Sequence, residues 1–294
     1  MTGDKTMPLQ FQTIGVIGKQ SGAVPRDTLL QLAEFLEGNG QRVLLEEATS
    51  KRLWNHHMEA ASLAQIGQSC DLAIVVGGDG TLLHSARGLA DYGVPLLGIN
   101  LGRLGFLADI PSDGMLTILN QVFSGHYQEE QRFLLQAEIN GQTFTAFNDV
   151  VIHKWNIARM IELETYIDGV FVESQRSDGL IIATPTGSTA YALSGGGPLL
   201  QPTLNAIVMV PICPHTLSNR PIVLGGDSKV ELLIGGRTEI GHARATCDGQ
   251  SSIPLRSKRV TIAKYESMVR LIHPHGHNHF HILRAKLGWS GHPV

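Results

Sequence analysis

The chain has 294 residues, 43% of them hydrophobic, with 26 acidic residues against 23 basic ones and a formal charge of −3. That length can bury a substantial core and fits two domains, and the charge leaves no electrostatic footprint for nucleic acid or an anionic membrane. Three scattered cysteines (Cys70, Cys213, Cys247) form no CxxC pair, and no apolar run reaches membrane-spanning length, so a soluble, cytoplasmic protein without disulfides is expected.

In chain order, Thr13 to Gly18 reads as a buried strand. Leu29, Leu32, Ala33 and Leu36 then mark a helical face that closes at Gly38-Asn39-Gly40. Arg42 to Glu46 predicts a strand, Ala60 to Ile66 a helix and Leu72 to Val76 a strand. A helical stripe follows from Leu82 to Ala90, then a strand over Val94 to Ile99 and a helix over Met115 to Val122. Apolar strands alternating with helices imply a parallel sheet covered on both faces. The pattern changes near Gly125. Leu135, Ala137 and Ile139 alternate with polar residues up to Asn140-Gly141, a hairpin signal, and Ile161 to Ile167 repeats the pattern up to Asp168-Gly169. Further strands are predicted at 181–183, 206–210, 230–234, 260–263 and 268–272, before a short helix through Ile282, Leu283 and Leu287. The expected architecture is an α/β domain (1–125 plus 275–294) with a parallel sheet, joined to an antiparallel, β-rich domain (126–274). The last helix returns to the first domain.

Familiar nucleotide motifs are absent. Gly18-Lys19 is followed by Gln20, so there is no P-loop, and no Gly-x-Gly-x-x-Gly opens a helix. Gly77-Gly78-Asp79-Gly80-Thr81 instead lies where a buried strand meets a helix, the place where α/β sheets hold ligands. Glycines let a backbone close around phosphate, and amides opening a helix attract anions. A carboxylate there repels phosphate, so Asp79 needs a task such as taking a proton or holding a metal ion. A plain turn with Asp79 or Thr81 capping the helix would explain one glycine and one cap, not three glycines around a carboxylate.

A second dense segment runs from Asp178 to Pro198. An apolar strand leads into Thr184, Thr186, Ser188 and Thr189, then Ala190, Tyr191, Ala192, Leu193, Ser194 and a triple glycine. Hydroxyls and free amides can read ribose and base edges and Tyr191 offers a stacking face; the alternative is a loop bonding its own backbone. Taken alone, Asn148-Asp149 reads as a turn or bulge, and Arg176 with Asp178 as an exposed ion pair. The alternating His273, His275, His277, His279 and His281 suggest a metal, but Pro274 and Gly276 favour a surface turn entering the last helix. Cys247 is expected as a small core residue.

Together these segments resemble the NAD kinase family over nearly the whole chain. Gly77 to Thr81 resembles its signature loop, Asn148-Asp149-Val150-Val151 its second motif, and Asp178 to Pro198 its longest. Pro214 to Pro221 and Cys247-Asp248-Gly249-Gln250 match further segments in order. The glycine-aspartate loop is shared with diacylglycerol and sphingosine kinases, whereas Thr186-Gly187-Ser188-Thr189-Ala190-Tyr191 separates the two groups. The resemblance implies transfer of the γ-phosphoryl of ATP to the 2′-hydroxyl of the adenosine ribose of NAD, giving NADP. Asp79 would act as general base, with Gly77, Gly78, Gly80 and Thr81 as the phosphate loop and Mg²⁺ accompanying ATP. Asp79, Gly80, Asn148, Asp149, Arg159, Arg176, Asp178, Thr189 to Ser194 and Gln250 would contact NAD. It also implies a homodimer or homotetramer. The alternatives are a lipid kinase sharing the loop, and a non-catalytic NAD(P) sensor, for which a carboxylate at the phosphate loop would serve no purpose.

Overall fold

The computed structural model describes residues 10–19, 22, 25–102, 104–155, 159–236 and 238–289, and divides into two compact units, 1–131 with 269–294 and 132–268. Both divisions fall inside long strands. Among the described residues no helix is long and apolar enough to cross a membrane.

The first unit follows the predicted alternation. It runs β1 (Thr13–Gly18), α1 (Arg26–Gly38), β2 (Arg42–Glu46), α2 (Glu47–Arg52), β3 (Glu59–Ala61), α3 (Leu63–Ser69), β4 (Leu72–Gly77), α4 (Asp79–Leu89), β5 (Leu96–Asn100), β6 (Ile110–Pro111) and α5 (Met115–Phe123). The sheet order is β3-β2-β1-β4-β5, all parallel, with β6 on the outer side of β5. Strands buried on both faces read as unbroken apolar runs, and all six residues of β4 are buried. Ile14, Val16, Leu45, Ile74, Val76 and Ile99 pack there against Leu29, Leu32 and Leu36 of α1. Strand order reverses between β1 and β4, which places a crevice at the carboxyl ends of those strands, where Gly77 stands.

Two local expectations change. The helix expected over Ala60 to Ile66 starts at Leu63, because Glu59–Ala61 extends the sheet beside β2. A capping box sets the start: the Gln65 amide donates to Ser62 Oγ at 3.2 Å, and the Ser62 amide donates to the Gln65 side chain at 2.8 Å. Helix α2 went unseen because its cap is unusual. Glu46 supplies it, accepting from the Thr49 amide at 2.8 Å.

The second unit is antiparallel. It contains β7 (Tyr127–Ile139, entering from the first unit), β8 (Gln142–Ala146), β9 (Asp149–Lys154), β10 (Ile161–Ile167), β11 (Val170–Ser177), β12 (Gly179–Ala183), α6 (Tyr191–Ser194), β13 (Ala206–Ile212), β14 (Ile222–Gly225), β15 (Val230–Ile234), β16 (Ala243–Cys247), β17 (Ser251–Pro254) and β18 (Arg259–Pro274). The Asn140-Gly141 and Asp168-Gly169 turns hold left-handed φ values of 55° and 77°, and 52° and 81°. One sheet has the order β14-β13-β12-β9-β16-β17; β11-β10-β15-β18 forms a second ladder. Their inward residues, among them Val150, Ile152, Leu180, Ile182, Leu163, Leu232 and Ile262, share one core. Cys247, 2% exposed, belongs to it as expected.

The opposite face of β9, β12 and β13 carries a second, smaller core of Val151, Ile181, Ala183, Val208 and Val210, which Ala192 and Leu200 cover. The strands expected at 260–263 and 268–272 are one strand, β18, which continues through the polar residues Lys264 to Ser267. Its last residues, Leu271 and Ile272, pair in parallel with β5 in the first unit, and α7 (His279–Leu287) follows there. The histidine run is not a surface turn throughout: His273 ends β18 and is only 2% exposed.

Candidate active site

In the first unit, β4 delivers Gly77 and α4 begins at Asp79, so the loop between them is one residue long. Gly77 has to be glycine, because a Cβ would meet Thr81 Oγ1 at 2.4 Å. Over Gly78 the space is open, with nothing within 4 Å of an added Cβ. That leaves the amides opening α4 approachable by an anion. Neither Asp79 nor Thr81 caps the helix; the N-cap is Gly78, without a side-chain bond. Asp79 does something else. Its Oδ2 accepts from the Phe106 amide at 2.9 Å, and its Oδ1 from the Leu107 and Ala108 amides at 3.0 and 3.1 Å. A carboxylate offers about four acceptor directions, so one direction on Oδ2 is not taken by these amides. Gly105 makes the approach possible, since a Cβ there would sit 2.2 Å from Asp79 Oδ1.

In the second unit, a cavity of about 560 Å³ is lined by Asn148, Asp149, His153, Lys154, Asp178, Ala190, Tyr191 and Asp248, among others. That volume suits part of a small-molecule ligand. Asn148-Asp149 is more than a turn. Asp248 stands in the β16–β17 turn with φ 53° and accepts from the amides of Phe147, Asn148 and Asp149 at 3.0, 2.7 and 3.2 Å. This fixes the entry to β9 at the cavity wall. Asp149 is 4% exposed, and burial, helped by the nearby charge of Asp248, pushes its carboxyl up to about 7. A buried carboxyl poised near neutrality in a cavity can exchange a proton with a bound ligand.

The hydroxyl-rich segment turns out to be largely self-bonded. Thr184 Oγ1 donates to the Phe147 carbonyl at 2.7 Å and accepts from the Gly187 amide at 3.1 Å. Ser188 Oγ donates to the Pro185 carbonyl at 2.6 Å and accepts from the Leu200 amide at 3.0 Å, and Thr189 Oγ1 donates to Thr186 at 3.0 Å. At Gly187 a Cβ would lie 2.1 Å from the Asn148 carbonyl oxygen, so glycine is what lets this turn sit on Asn148. The hydroxyls expected to read ribose therefore build the turn, and Ala190 and the exposed ring of Tyr191 are what it presents to the cavity.

Other expected contacts are dispersed. Ala192 is fully buried in the smaller core, so its side chain is out of reach of a ligand; Leu193 is half-buried and Ser194 exposed. Asp178 lines the cavity, and its ion-pair partner is Lys154 at 2.7 Å rather than Arg176. Arg159 and Arg176 come together, but in a separate cavity of about 400 Å³ with Glu162, Glu239 and His242. Gln250 is exposed beside Gly249, and it is Gly249 that reaches the first cavity. Sequence reasoning missed the part of Asp248, although Asp-Gly between two strands signals the tight turn that holds it. The amides of Phe106 to Ala108 carried no side-chain signal at all.

Comparison with known proteins follows the same division. The family model described as the ATP-NAD kinase N-terminal domain matches residues 14–127, and that of the ATP-NAD kinase C-terminal domain matches residues 147–273. The chain is 53% identical over 290 residues to a protein of Nitrosococcus oceani described as NAD kinase, covering 97% of this chain and 99% of that one. It is 49% identical over 287 residues to one of Hahella chejuensis with the same description, covering 96% and 97%. Among solved structures, yeast NADH kinase complexed with NADH superposes with a TM-score of 0.84 at 23% identity, covering 98% of this chain and 93% of that one. An NAD kinase from Archaeoglobus fulgidus in complex with ATP gives 0.76 at 26% identity, covering 95% and 100%.

Proposed function

The chain belongs to the NAD kinase family, and from that membership we propose that it passes the γ-phosphoryl of ATP to the 2′-hydroxyl of the adenosine ribose of NAD, giving NADP and ADP. The observation that carries the residue assignment is Asp79: a carboxylate fixed by three amides at the opening of a helix, with an acceptor direction on Oδ2 left over. A ribose hydroxyl is a poor nucleophile, and a held base raises its reactivity as the bond to phosphorus forms. The hydroxyl proton passes to Asp79 while the bond to the β-phosphate oxygen breaks. Amides at Gly78 and Gly80 are assigned to the phosphate oxygens, which suits the open space over Gly78. The ATP held by the archaeal relative supports ATP as donor.

Mg²⁺ accompanies nucleotide phosphates with oxygen ligands and mostly water, and supplies charge neutralisation to the transferring group. The loop fits it in one respect, since Asp79 offers a single hard carboxylate oxygen with an uncommitted direction. Asn148, Asp149, Ala190 and Tyr191 around the second unit's cavity are assigned to the NAD adenosine and ribose. Arg159, Arg176, Asp178, Thr189, Leu193, Ser194 and Gln250 remain NAD contacts in this proposal through the family resemblance. A cytoplasmic homodimer or homotetramer belongs to it as well. The exposed residues Val170, Phe171 and Val172 on edge strand β11 offer apolar surface for a second copy.

The test is formation of NADP from NAD, ATP and Mg²⁺ by the purified protein. Asp79→Asn should keep NAD binding while losing about 10²–10⁴-fold in rate, the usual worth of a positioned base. A well-folded Asp79→Asn protein turning over at the wild-type rate would remove the base assignment. No product with any phosphoryl donor would favour the sensor.

A further inference from the structure

Away from the glycine loop and the second unit's cavity, the first unit holds another cluster of chemistry-bearing side chains. Asp109 directly follows the three amides that bind Asp79 and precedes β6. His273 ends β18, and His277 stands in the turn before α7. Oδ2 of Asp109 lies 3.0 Å from Nδ1 of His273 and 2.6 Å from Nδ1 of His277. The two rings stack with centroids 3.8 Å apart, so both turn the same edge towards the carboxylate. The side chains of Asp109, His273 and His277 are 8%, 2% and 10% exposed.

We propose that Asp109, His273 and His277 bind a divalent transition-metal ion of the zinc class, which clamps the C-terminal segment to the loop that carries the Asp79 amides. Two imidazole nitrogens and a carboxylate oxygen are a donor set suited to such an ion, with a fourth position for water. The three ligand atoms lie within 4.8 Å of one another. Around a tetrahedral zinc with ligand bonds of about 2.0–2.1 Å, ligand atoms stand ~3.3 Å apart, so the cluster would open by only a few tenths of an ångström.

Hydrogen bonding alone leaves the cluster incomplete, because Oδ1 of Asp109 is buried without a partner. Such atoms are rare in native structures and costly. Burial alone would raise the Asp109 carboxyl, but hydrogen bonds from the two histidines outweigh it and hold it down at about 2, so the carboxylate is ionised at neutral pH. Behind the cluster, Oε2 of Glu130 lies 3.5 Å from Nε2 of His273. A carboxylate behind a ligating imidazole fixes its tautomer and orientation. The second tie between these segments is Lys286 of α7, whose Nζ lies 5.4 Å from the centre of the Phe106 ring. The proposal concerns metal binding and stands whether or not Asp79 is a base.

Co²⁺ tests it, because its visible absorption reports coordination number. Chelator-stripped protein should take up one equivalent of Co²⁺, with the intense band of a four- or five-coordinate site, and Zn²⁺ should displace it. His277→Ala and Asp109→Asn should abolish the band; both sites avoid the deeply buried His273, and a circular dichroism melt verifies that each variant folds. The triple variant His275→Ala, His279→Ala, His281→Ala should keep it, which separates the cluster from the neighbouring histidines. Weak octahedral absorption from wild-type protein would overturn the proposal. So would an unchanged band in folded His277→Ala, or loss of the band in the triple variant alone.

Discussion

Replacing Asp149 by Asn should change how stability depends on pH, and the structure fixes both sign and scale. The carboxyl is 4% exposed, and burial with the charge of Asp248 moves it from 3.8 to about 7. A raised folded value means that the native state holds the proton more tightly than the unfolded chain does. The stability it contributes is therefore full below about pH 4 and is lost as pH rises through about 7. A shift of about three units at about 1.4 kcal/mol each gives on the order of 4 kcal/mol as a ceiling, since water entering the cavity mouth relieves some of the cost. Asparagine keeps the shape of the protonated acid and does not titrate. Urea or thermal unfolding of both proteins between pH 5 and 9 should show the variant gaining on wild type as pH rises. The gain should reach several degrees in melting temperature at pH 8, at about 2–4 °C per kcal/mol for a unit of this size. Parallel pH profiles would refute the reasoning, because they would mean that Asp149 titrates alike in both states.

Three further outcomes follow from close contacts. Gly105→Ala drives a Cβ to 2.2 Å from Asp79 Oδ1 and 2.8 Å from the Ala108 carbonyl, so it should cost about 1–3 kcal/mol in a melt and depress turnover while leaving the Asp79 carboxylate in place. Gly187→Ala meets the Asn148 carbonyl oxygen at 2.1 Å, backbone that cannot swing aside, and should raise KM for NAD more than it lowers kcat. Thr184→Val keeps the shape of a fully buried side chain but strands the Phe147 carbonyl and the Gly187 amide, a loss of about 1–3 kcal/mol for each group left unpaired, measurable by urea titration.

Much of the fold was legible because its signals are local. The unbroken apolar run of β4, the 3.6-residue stripe of α1 and the Asn-Gly and Asp-Gly turns each state their own geometry within a few residues. The glycine loop was legible for the same reason, since it lies on one short stretch between a strand and a helix. Where local cues were unusual the reading slipped. Glu46 caps α2 in place of Ser, Thr, Asp or Asn, and β18 passes through polar residues without breaking.

What only the tertiary structure decided is how the charged groups are satisfied. Asp79 binds amides 27 to 29 residues away, Asp248 holds amides about a hundred residues back, and Asp109 meets histidines 164 and 168 residues on. Backbone amides carry no side-chain signature, and a pairing across such separations leaves no periodicity. The sequence by itself determined the strand-loop-helix that presents Asp79 and the family to which the chain belongs. Packing then turned the hydroxyls of Thr184 and Ser188 into the frame of a turn, set Asp149 near neutrality, and gathered two histidines of a seemingly exposed run around one buried carboxylate. The physical reason is desolvation: a polar group removed from water takes the partner that the fold brings near, wherever that partner lies in the chain.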